Sequence, residues 1–103
     1  MVLIETPIFI SCIEAIATAE EFRHLQNEIL INPEAGKVIT GGGGARKIRL
    51  AIGSQGKSGG GRVIYYYKKN SNEIYFLIAY AKSSIDNLTK KQLNVLVDLI
   101  KEI

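Results

Sequence analysis

The stretch RKIRLAI at residues 46–52 places an apolar side chain at every second position, at Ile48, Leu50 and Ile52. Successive side chains of a β-strand point to opposite faces, so this alternation predicts a strand that is buried on one face. Ile48, Leu50 and Ile52 are then expected to face the core. Lys47 and Arg49 are expected to project together from the other face.

Further strands and a helix are predicted on the C-terminal side of this stretch. Residues 62–68 and 73–80 are rich in β-branched and aromatic residues, and the Asn-Ser-Asn sequence at 70–72 between them predicts a turn. Three strands joined by short loops predict an antiparallel meander. Thr89, followed by Gln92, predicts the capping box of a last helix. Its apolar face is expected to contain Leu93, Leu96, Val97, Ile100 and Ile103.

The N-terminal third predicts two helices after an extended segment at residues 2–5. Thr6-Pro7 opens the first helix as N-cap and first helical residue, and Phe9, Ile13, Ile16 and Ala17 form its apolar stripe. Thr18 with Glu21 predicts a capping box for the second helix, whose stripe is Phe22, Leu25, Ile29 and Leu30, and Asn32-Pro33 ends it. Helices first, then a sheet, then a helix predict an α+β fold. The length of 103 residues favours a single domain over 1–103.

The charges are distributed unevenly along the chain, although the net charge is only +3. Between Glu34 and Glu73 there is no acidic residue and there are eight basic ones: Lys37, Arg46, Lys47, Arg49, Lys57, Arg62, Lys68 and Lys69. A long run of one sign creates a field that attracts a polyanion. The alternative is an ordinary solvated basic surface.

Composition argues against several other classes of protein. The single cysteine, Cys12, lies in an apolar stretch and is expected to be a buried small hydrophobe in a reducing cytoplasm. The single histidine, His24, has no second ligand nearby, so neither a metal site nor a Ser–His–Asp or Cys–His arrangement is expected. No signal peptide or membrane-spanning run is recognisable. Gly56-Lys57-Ser58 lacks the preceding glycine and the following helix of a phosphate-binding loop.

Cleavage of RNA would therefore depend largely on lysine, arginine and tyrosine. The 2′-hydroxyl of RNA can serve as nucleophile, and cations stabilise the negative charge that develops on the phosphorus centre. A lysine crowded by other cations gives up its proton more easily, and Lys47 beside Arg49 is such a case. A basic surface with no enzymatic role would show the same residues. The tyrosines on the predicted strands could pack in the core or stack on bases.

Motifs along nearly the whole chain resemble the HigB-type branch of the RelE-like toxins. They are TPIF at 6–9, NPEAG at 32–36, VI at 38–39, GGARKIR at 43–49, GKSGGGRVIYY at 56–66, YAK at 80–82 and DNLT at 86–89. The resemblance implies the RelE-like fold, with two N-terminal helices packed on a twisted antiparallel sheet and a C-terminal helix. It also implies a ribosome-dependent messenger RNA endonuclease without metal or cofactor, silenced by a cognate helix-turn-helix antitoxin.

The resemblance also implies which residues take part in cleavage. Its catalytic candidates are Lys47, Arg49, Lys57, Arg62 and Lys82, and its further RNA-binding candidates are Arg46, Lys68 and Tyr80. Lys47 or Lys57 would accept the proton, Arg49 and Arg62 would clamp the phosphate, and Lys82 would be an auxiliary cation. Arg62 or Lys82 could supply a proton or a compensating positive charge to the leaving 5′-oxygen.

The sequence departs from the family pattern at three places. Leu50 replaces a common tryptophan, residues 83–85 are Ser-Ser-Ile where Asn-Glu-Lys is common, and Thr40-Gly41-Gly42-Gly43-Gly44 replaces Pro-Gly-Thr-Gly-Gly. Relatives on this fold include ParE-type poisons of a topoisomerase. The alternatives are therefore a gyrase poison or an RNA- or ribosome-binding module without chemistry of its own.

Overall fold

The structure is a computed structural model that describes residues 1–53, 60–84 and 87–103. Its elements in chain order are β1 (Val2–Glu5), α1 (Pro7–Ile16), α2 (Ala19–Ile31), β2 (Lys37–Val38), β3 (Arg46–Leu50), β4 (Gly61–Lys68), a short 3-10 helix (Lys69–Ser71), β5 (Glu73–Ala81) and α3 (Lys90–Lys101). This order confirms the predicted α+β class. In the described part of the chain, no helix is long and apolar enough to cross a membrane.

The strands form one five-stranded sheet in the order β1-β5-β4-β3-β2. The pairs β2–β3, β3–β4 and β4–β5 are antiparallel, which confirms the predicted meander. Strand β1 pairs in parallel with β5, which adds one parallel edge strand to the expected antiparallel sheet and makes the sheet mixed. The reason is the path of the chain, because β1 precedes both helices and its partner lies about 70 residues later in the sequence.

The helices begin and end where short-range signals predict. Thr6 caps α1 by accepting a hydrogen bond from the Phe9 N–H, and Pro7 is its first residue. Thr18 and Glu21 form a reciprocal capping box on α2, and Thr89 and Gln92 form one on α3. Each box satisfies backbone N–H groups that have no acceptor inside the helix, which stabilises the helix start by about 1 kcal/mol.

Helices α1 and α2 cover one face of the sheet. Phe9 and Phe22 pack on Phe76 of β5, with ring centroids 5.1 Å from it in both cases. Ile48 and Leu50 of β3 belong to the same buried cluster, as the alternation predicts. Two details differ from the expectation: Ile52 is only half-buried after the end of β3, and Leu30 is exposed on the outer side of α2.

Helix α3 covers part of the opposite face. Leu96 and Ile100 pack against Ile64 of β4 and against Leu77 and Tyr80 of β5. Because these contacts lie on β4 and β5, the polar face of β3 is not part of this apolar layer. The side chains of Lys47 and Arg49 therefore lie beside α3 rather than beneath it.

Candidate functional site

Strand register brings Arg49, Arg62 and Tyr80 into one row across the sheet. Arg49 of β3 is the partner of Arg62 of β4, and Arg62 is the partner of Tyr80 of β5. Neighbouring strands lie about 5 Å apart, so the three backbones are adjacent. Lys47 precedes Arg49 by two residues and projects from the same face. The structure thus brings together three of the predicted catalytic residues, on the face that also carries α3.

Lys37 completes this group and was not among the predicted site residues. It lies on β2, where it is the partner of Lys47. Lys37, Lys47, Arg49 and Arg62, with Ile48, line an open cavity of about 230 Å³, here called the cationic cavity. A strand of two residues leaves no periodic pattern, so the only sequence signal for Lys37 is its place in the interval without acids.

The described lining of the cationic cavity consists of four bases and Ile48. None of these described residues is acidic. Within the described ranges, no carboxylate oxygen lies within 4.0 Å of the charged nitrogens of Lys37, Lys47 or Arg49. Arg62 is 9% exposed, and its Nη1 donates a hydrogen bond of 2.9 Å to the Gly61 carbonyl. Clustered positive charge with a buried guanidinium at its base is suited to holding a phosphate group.

A second cavity, of about 360 Å³, lies on the other side of Arg49 and contains acids. Glu21 and Glu28 of α2 line it together with Gly53. The Glu21 carboxylate accepts hydrogen bonds from the N–H of Gly53 at 2.6 Å and of Thr18 at 2.8 Å, and both lower its pKa. Glu21 therefore holds the chain just after β3 against α2, immediately before residues 54–59.

Arg46 lies on the opposite face from Lys47 and is held by the backbone that precedes β2. Its Nη1 donates to the carbonyls of Gly36 at 2.8 Å and Glu34 at 3.2 Å, and its Nη2 lies 3.6 Å from the Glu34 carboxylate. The predicted contact of Arg46 with RNA is not supported by this geometry, which gives the residue a structural role. The cause is strand alternation, which separates consecutive residues onto different faces.

Lys68 is also placed away from the cationic cavity. It lies six residues from Arg62 on β4, a separation of about 20 Å along a strand. Its Nζ donates a hydrogen bond of 2.7 Å to the main-chain oxygen of Ile103. This contact ties the end of β4 to the chain terminus. A role for Lys68 in the same RNA site is therefore not supported by its position.

Tyr80 is buried, with 5% of its surface exposed, and lines a third cavity of about 220 Å³ that also includes Lys47. Its hydroxyl has no hydrogen-bond partner among the described residues. Burial raises the pKa of this hydroxyl, and the positive charge of Arg62 opposes that rise. A ring buried to this extent has no open face for a stacked base, so the stacking role considered for Tyr80 is not supported in this conformation.

The remaining two candidates are less constrained by the structure. Lys57, with the rest of the Gly-Lys-Ser motif, lies outside the described residues. Lys82 is exposed in the turn after β5, and its backbone N–H donates to the Gly60 carbonyl at 3.0 Å. This bond places Lys82 at the same end of the sheet as Arg62. Among the described residues, no three side chains of the His, Cys, Asp and Glu types come together as a metal site.

Comparison with known families agrees with the fold and the strand pattern. The family model described as the RelE toxin of the RelE / RelB toxin-antitoxin system matches residues 30–103. The match begins at the end of α2 and includes the whole meander, all four bases of the cationic cavity, and α3. Membership implies an antitoxin as partner. The chain belongs to the RelE toxin family, whose members are the toxins of toxin-antitoxin systems.

Proposed function

We propose that this toxin is a HigB-type, ribosome-dependent endoribonuclease that inhibits translation by cutting messenger RNA. The observation that carries the proposal is the cationic cavity, in which four bases from three strands line an open volume of about 230 Å³. A phosphodiester of an extended RNA strand is the polyanionic substrate that such a cavity suits. The proposed place of action is the cytoplasm, and no cofactor is assigned.

The proposed chemistry uses the substrate's own nucleophile. The 2′-oxygen attacks the adjacent phosphorus, a 2′-O–P bond forms, and the bond from phosphorus to the 5′-oxygen breaks. The products are a 2′,3′-cyclic phosphate and a 5′-hydroxyl. Negative charge grows on the non-bridging oxygens as the phosphorus becomes five-coordinate. Arg49 and Arg62, adjacent across β3 and β4, would hold these oxygens by bidentate hydrogen bonds.

Two proton transfers complete the reaction. A lysine amine in its neutral form would take the proton of the 2′-hydroxyl, and the candidates are Lys47, in the cavity wall, and Lys57. The leaving 5′-oxygen needs a proton or a neighbouring positive charge, which Arg62 or Lys82 would supply. Lys37 lies on the edge strand β2, where it is the partner of Lys47. It would add to the positive field in the cationic cavity.

The partners proposed beyond the antitoxin follow from the resemblance to the HigB-type branch. The ribosome would present messenger RNA to the cavity, and its phosphate-rich surface would attract the basic face. The cognate antitoxin is proposed to be a helix-turn-helix protein. The competing functions are a non-catalytic ribosome-binding module and a gyrase poison.

The test is to map the 5′ ends of a defined message in a translating extract with added toxin. We expect new ends with 5′-hydroxyls inside translated codons, and none in the presence of Arg62→Ala. Because Arg62 is buried and hydrogen-bonded, Arg62→Lys and thermal unfolding of both variants separate loss of chemistry from loss of fold. Lys69→Ala, which removes an exposed lysine in the 3-10 helix at the other end of β4, is the matched control.

Three results would argue against the proposal. An Arg62→Ala variant that folds and still cuts would remove Arg62 from the mechanism. Intact messages with arrested ribosomes would favour a binding module, and intact messages with broken DNA in growing cells would favour a gyrase poison.

A further inference from the structure

Glu21 makes a contact that its place in a helix cap does not require. The capping box of α3 shows that an amide is sufficient, because the Oε1 of Gln92 accepts the Thr89 N–H at 2.9 Å. In the box of α2, the Oε1 of Glu21 accepts the Thr18 N–H in the same way. Its second oxygen, Oε2, accepts the N–H of Gly53 at 2.6 Å, 32 positions along the sequence. This second hydrogen bond is here called the Glu21–Gly53 clasp.

The clasp lies where the chain leaves the sheet. Leu50 is the last residue of β3, and its partner Gly61 is the first residue of β4. Gly53 has a φ of +54°, in the left-handed region, and a Cβ added to it would meet no described atom within 4 Å. The space beside this turn is therefore open. The charge-assisted hydrogen bond to the carboxylate, rather than packing, holds Gly53 against α2.

Arg49 connects the clasp with the proposed phosphate site. It lies four residues before Gly53 and lines both the cavity that contains Glu21 and the cationic cavity. Catalysis depends closely on position, and a displacement of about 1 Å can lower a rate by about 100-fold. A contact that holds the chain at the end of β3 therefore affects the placement of the guanidinium that would hold the phosphate.

The segment that contains Lys57 begins directly after Gly53. Residues 54–59 connect Gly53 with Gly60 and include the Gly-Lys-Ser motif. In the turn after β5, the backbone N–H of Lys82 donates to the Gly60 carbonyl at 3.0 Å. The clasp holds the other flanking residue, so both flanks of the segment are bonded to elements outside it. Moving Gly53 would move the point from which the chain carrying Lys57 starts.

We propose that Glu21 is a positioning residue for RNA cleavage, and that its clasp on Gly53 sets the placement of Arg49 and of the start of the segment that contains Lys57. This inference rests on the proposed RNA cleavage. Glu21 acts through these cations and does not touch the substrate. Its loss should lower kcat and leave KM nearly unchanged, because the bases of the cationic cavity still attract the RNA.

The first test separates the clasp from the helix cap by two substitutions in one capping box. Glu21→Ala removes both, whereas Thr18→Ala removes the hydroxyl that caps α2 and keeps the clasp. Both should lower the thermal unfolding temperature, because each breaks the capping box. Only Glu21→Ala should lower kcat, by about tenfold, the value of one charge-assisted hydrogen bond. The substrate is a defined message on purified ribosomes, and kcat and KM are measured separately.

A second pair of variants tests the clasp without changing Glu21 or the cap. The open space beside Gly53 admits either a valine or an asparagine side chain, but a β-branched residue is an outlier at positive φ, which asparagine tolerates. Gly53→Val should therefore move the N–H away from the carboxylate and lower kcat about tenfold, and Gly53→Asn should keep most of the activity. Glu21→Ala combined with Gly53→Val should lose no more than either alone, because both remove the same contact.

Several outcomes would contradict this inference and leave the proposed function standing. They are a Glu21→Ala variant with the kcat of wild type, equal losses of kcat in Glu21→Ala and Thr18→Ala, and losses that multiply in the double variant. A rise in KM at unchanged kcat would also contradict it, because that result is the mark of a binding contact. A wild-type toxin that leaves messages intact overturns the proposed function as well.

Discussion

Seven of the eight basic residues between Glu34 and Glu73 lie in the described part of the chain, and they form two sets with different surroundings. Arg46 and Lys69 pair with the Glu34 carboxylate, and Lys68 donates to the main-chain oxygen of Ile103. The second set consists of the four bases that line the cationic cavity, whose described lining contains no acid. One run of like charge in the sequence thus supplies both a structural set and a set that lines a cavity.

The difference between the sets is decided by strand geometry rather than by local charge density. Arg46 and Lys47 are consecutive, yet they lie on opposite faces of β3 and have different partners. Arg46 supports the backbone before β2, and that same β2 carries Lys37 into the cavity wall. The structural set therefore positions part of the cavity without lining it.

The largest expected effect comes from replacing Lys47, and replacing its neighbour Arg46 provides the comparison. Lys47→Ala removes a cation from the cavity wall, and we expect cleavage to fall about 10²- to 10³-fold, the loss typical of one group that stabilises the transition state. Arg46→Ala should instead reduce the free energy of unfolding by about 1–2 kcal/mol, because the hydrogen bonds from its guanidinium to the Gly36 and Glu34 carbonyls are lost. Cleavage rate and urea unfolding are measured for both. A large loss of cleavage in a stable Arg46→Ala variant would erase the distinction between the sets.

The parts of the fold that could be predicted from sequence depend on local patterns. The capping boxes at Thr18 and Thr89 fix two helix starts through contacts between near neighbours. The alternation of residues 46–52 assigns Lys47 and Arg49 to one face without knowledge of the partner strand. Each of these signals is contained within a few residues, which is why it is readable.

The parts that could not be predicted depend on contacts between distant residues. The parallel pairing of β1 with β5 and the two-residue strand β2 are set by the path of the chain. For this reason the sequence did not indicate that Lys37 lines the cationic cavity. It also did not reveal the partners of Arg46 and Lys68 in the fold, because charge alone does not identify them. The unpaired hydroxyl of Tyr80 is a property of the folded core and has no sequence signal.

A smaller effect is expected from Tyr65, which belongs to the structural side of the comparison. Its buried hydroxyl donates to the Pro33 carbonyl and accepts from the Gly36 N–H, both at 2.8 Å. Tyr65→Phe leaves these groups unpaired and should lower the free energy of unfolding by about 1–3 kcal/mol, with little direct effect on chemistry. Tyr67→Phe is the control on the same strand, since no hydrogen bond of its hydroxyl is found in the described residues.

The stability difference between wild type and Tyr65→Phe should also depend on pH, in a direction that the pKa of Tyr65 determines. Burial raises the pKa of Tyr65 above its ordinary value of 10.0. The folded state therefore holds the proton more tightly than the unfolded state, so this contribution to stability is complete below about pH 10 and is lost as the pH rises through the folded pKa. The difference in stability between wild type and Tyr65→Phe should narrow above pH 10. A constant difference up to pH 11 would show that the hydroxyl is not desolvated.

The smallest effect concerns Lys37, at the edge of the cationic cavity. If it contacts a phosphate, Lys37→Ala should weaken RNA binding only a few-fold and should reduce the slope of log K against log salt by about 0.7, the counterion release of one contact to a single strand. Lys69→Ala removes an exposed lysine of the structural set, whose Nζ lies 3.7 Å from Glu34. The salt slope of the Lys69→Ala variant should equal that of wild type, because Glu34 already compensates the charge of Lys69. Titrations of single-stranded RNA at several salt concentrations measure both slopes, and equal changes in the two variants would mean that the two sets do not differ toward RNA.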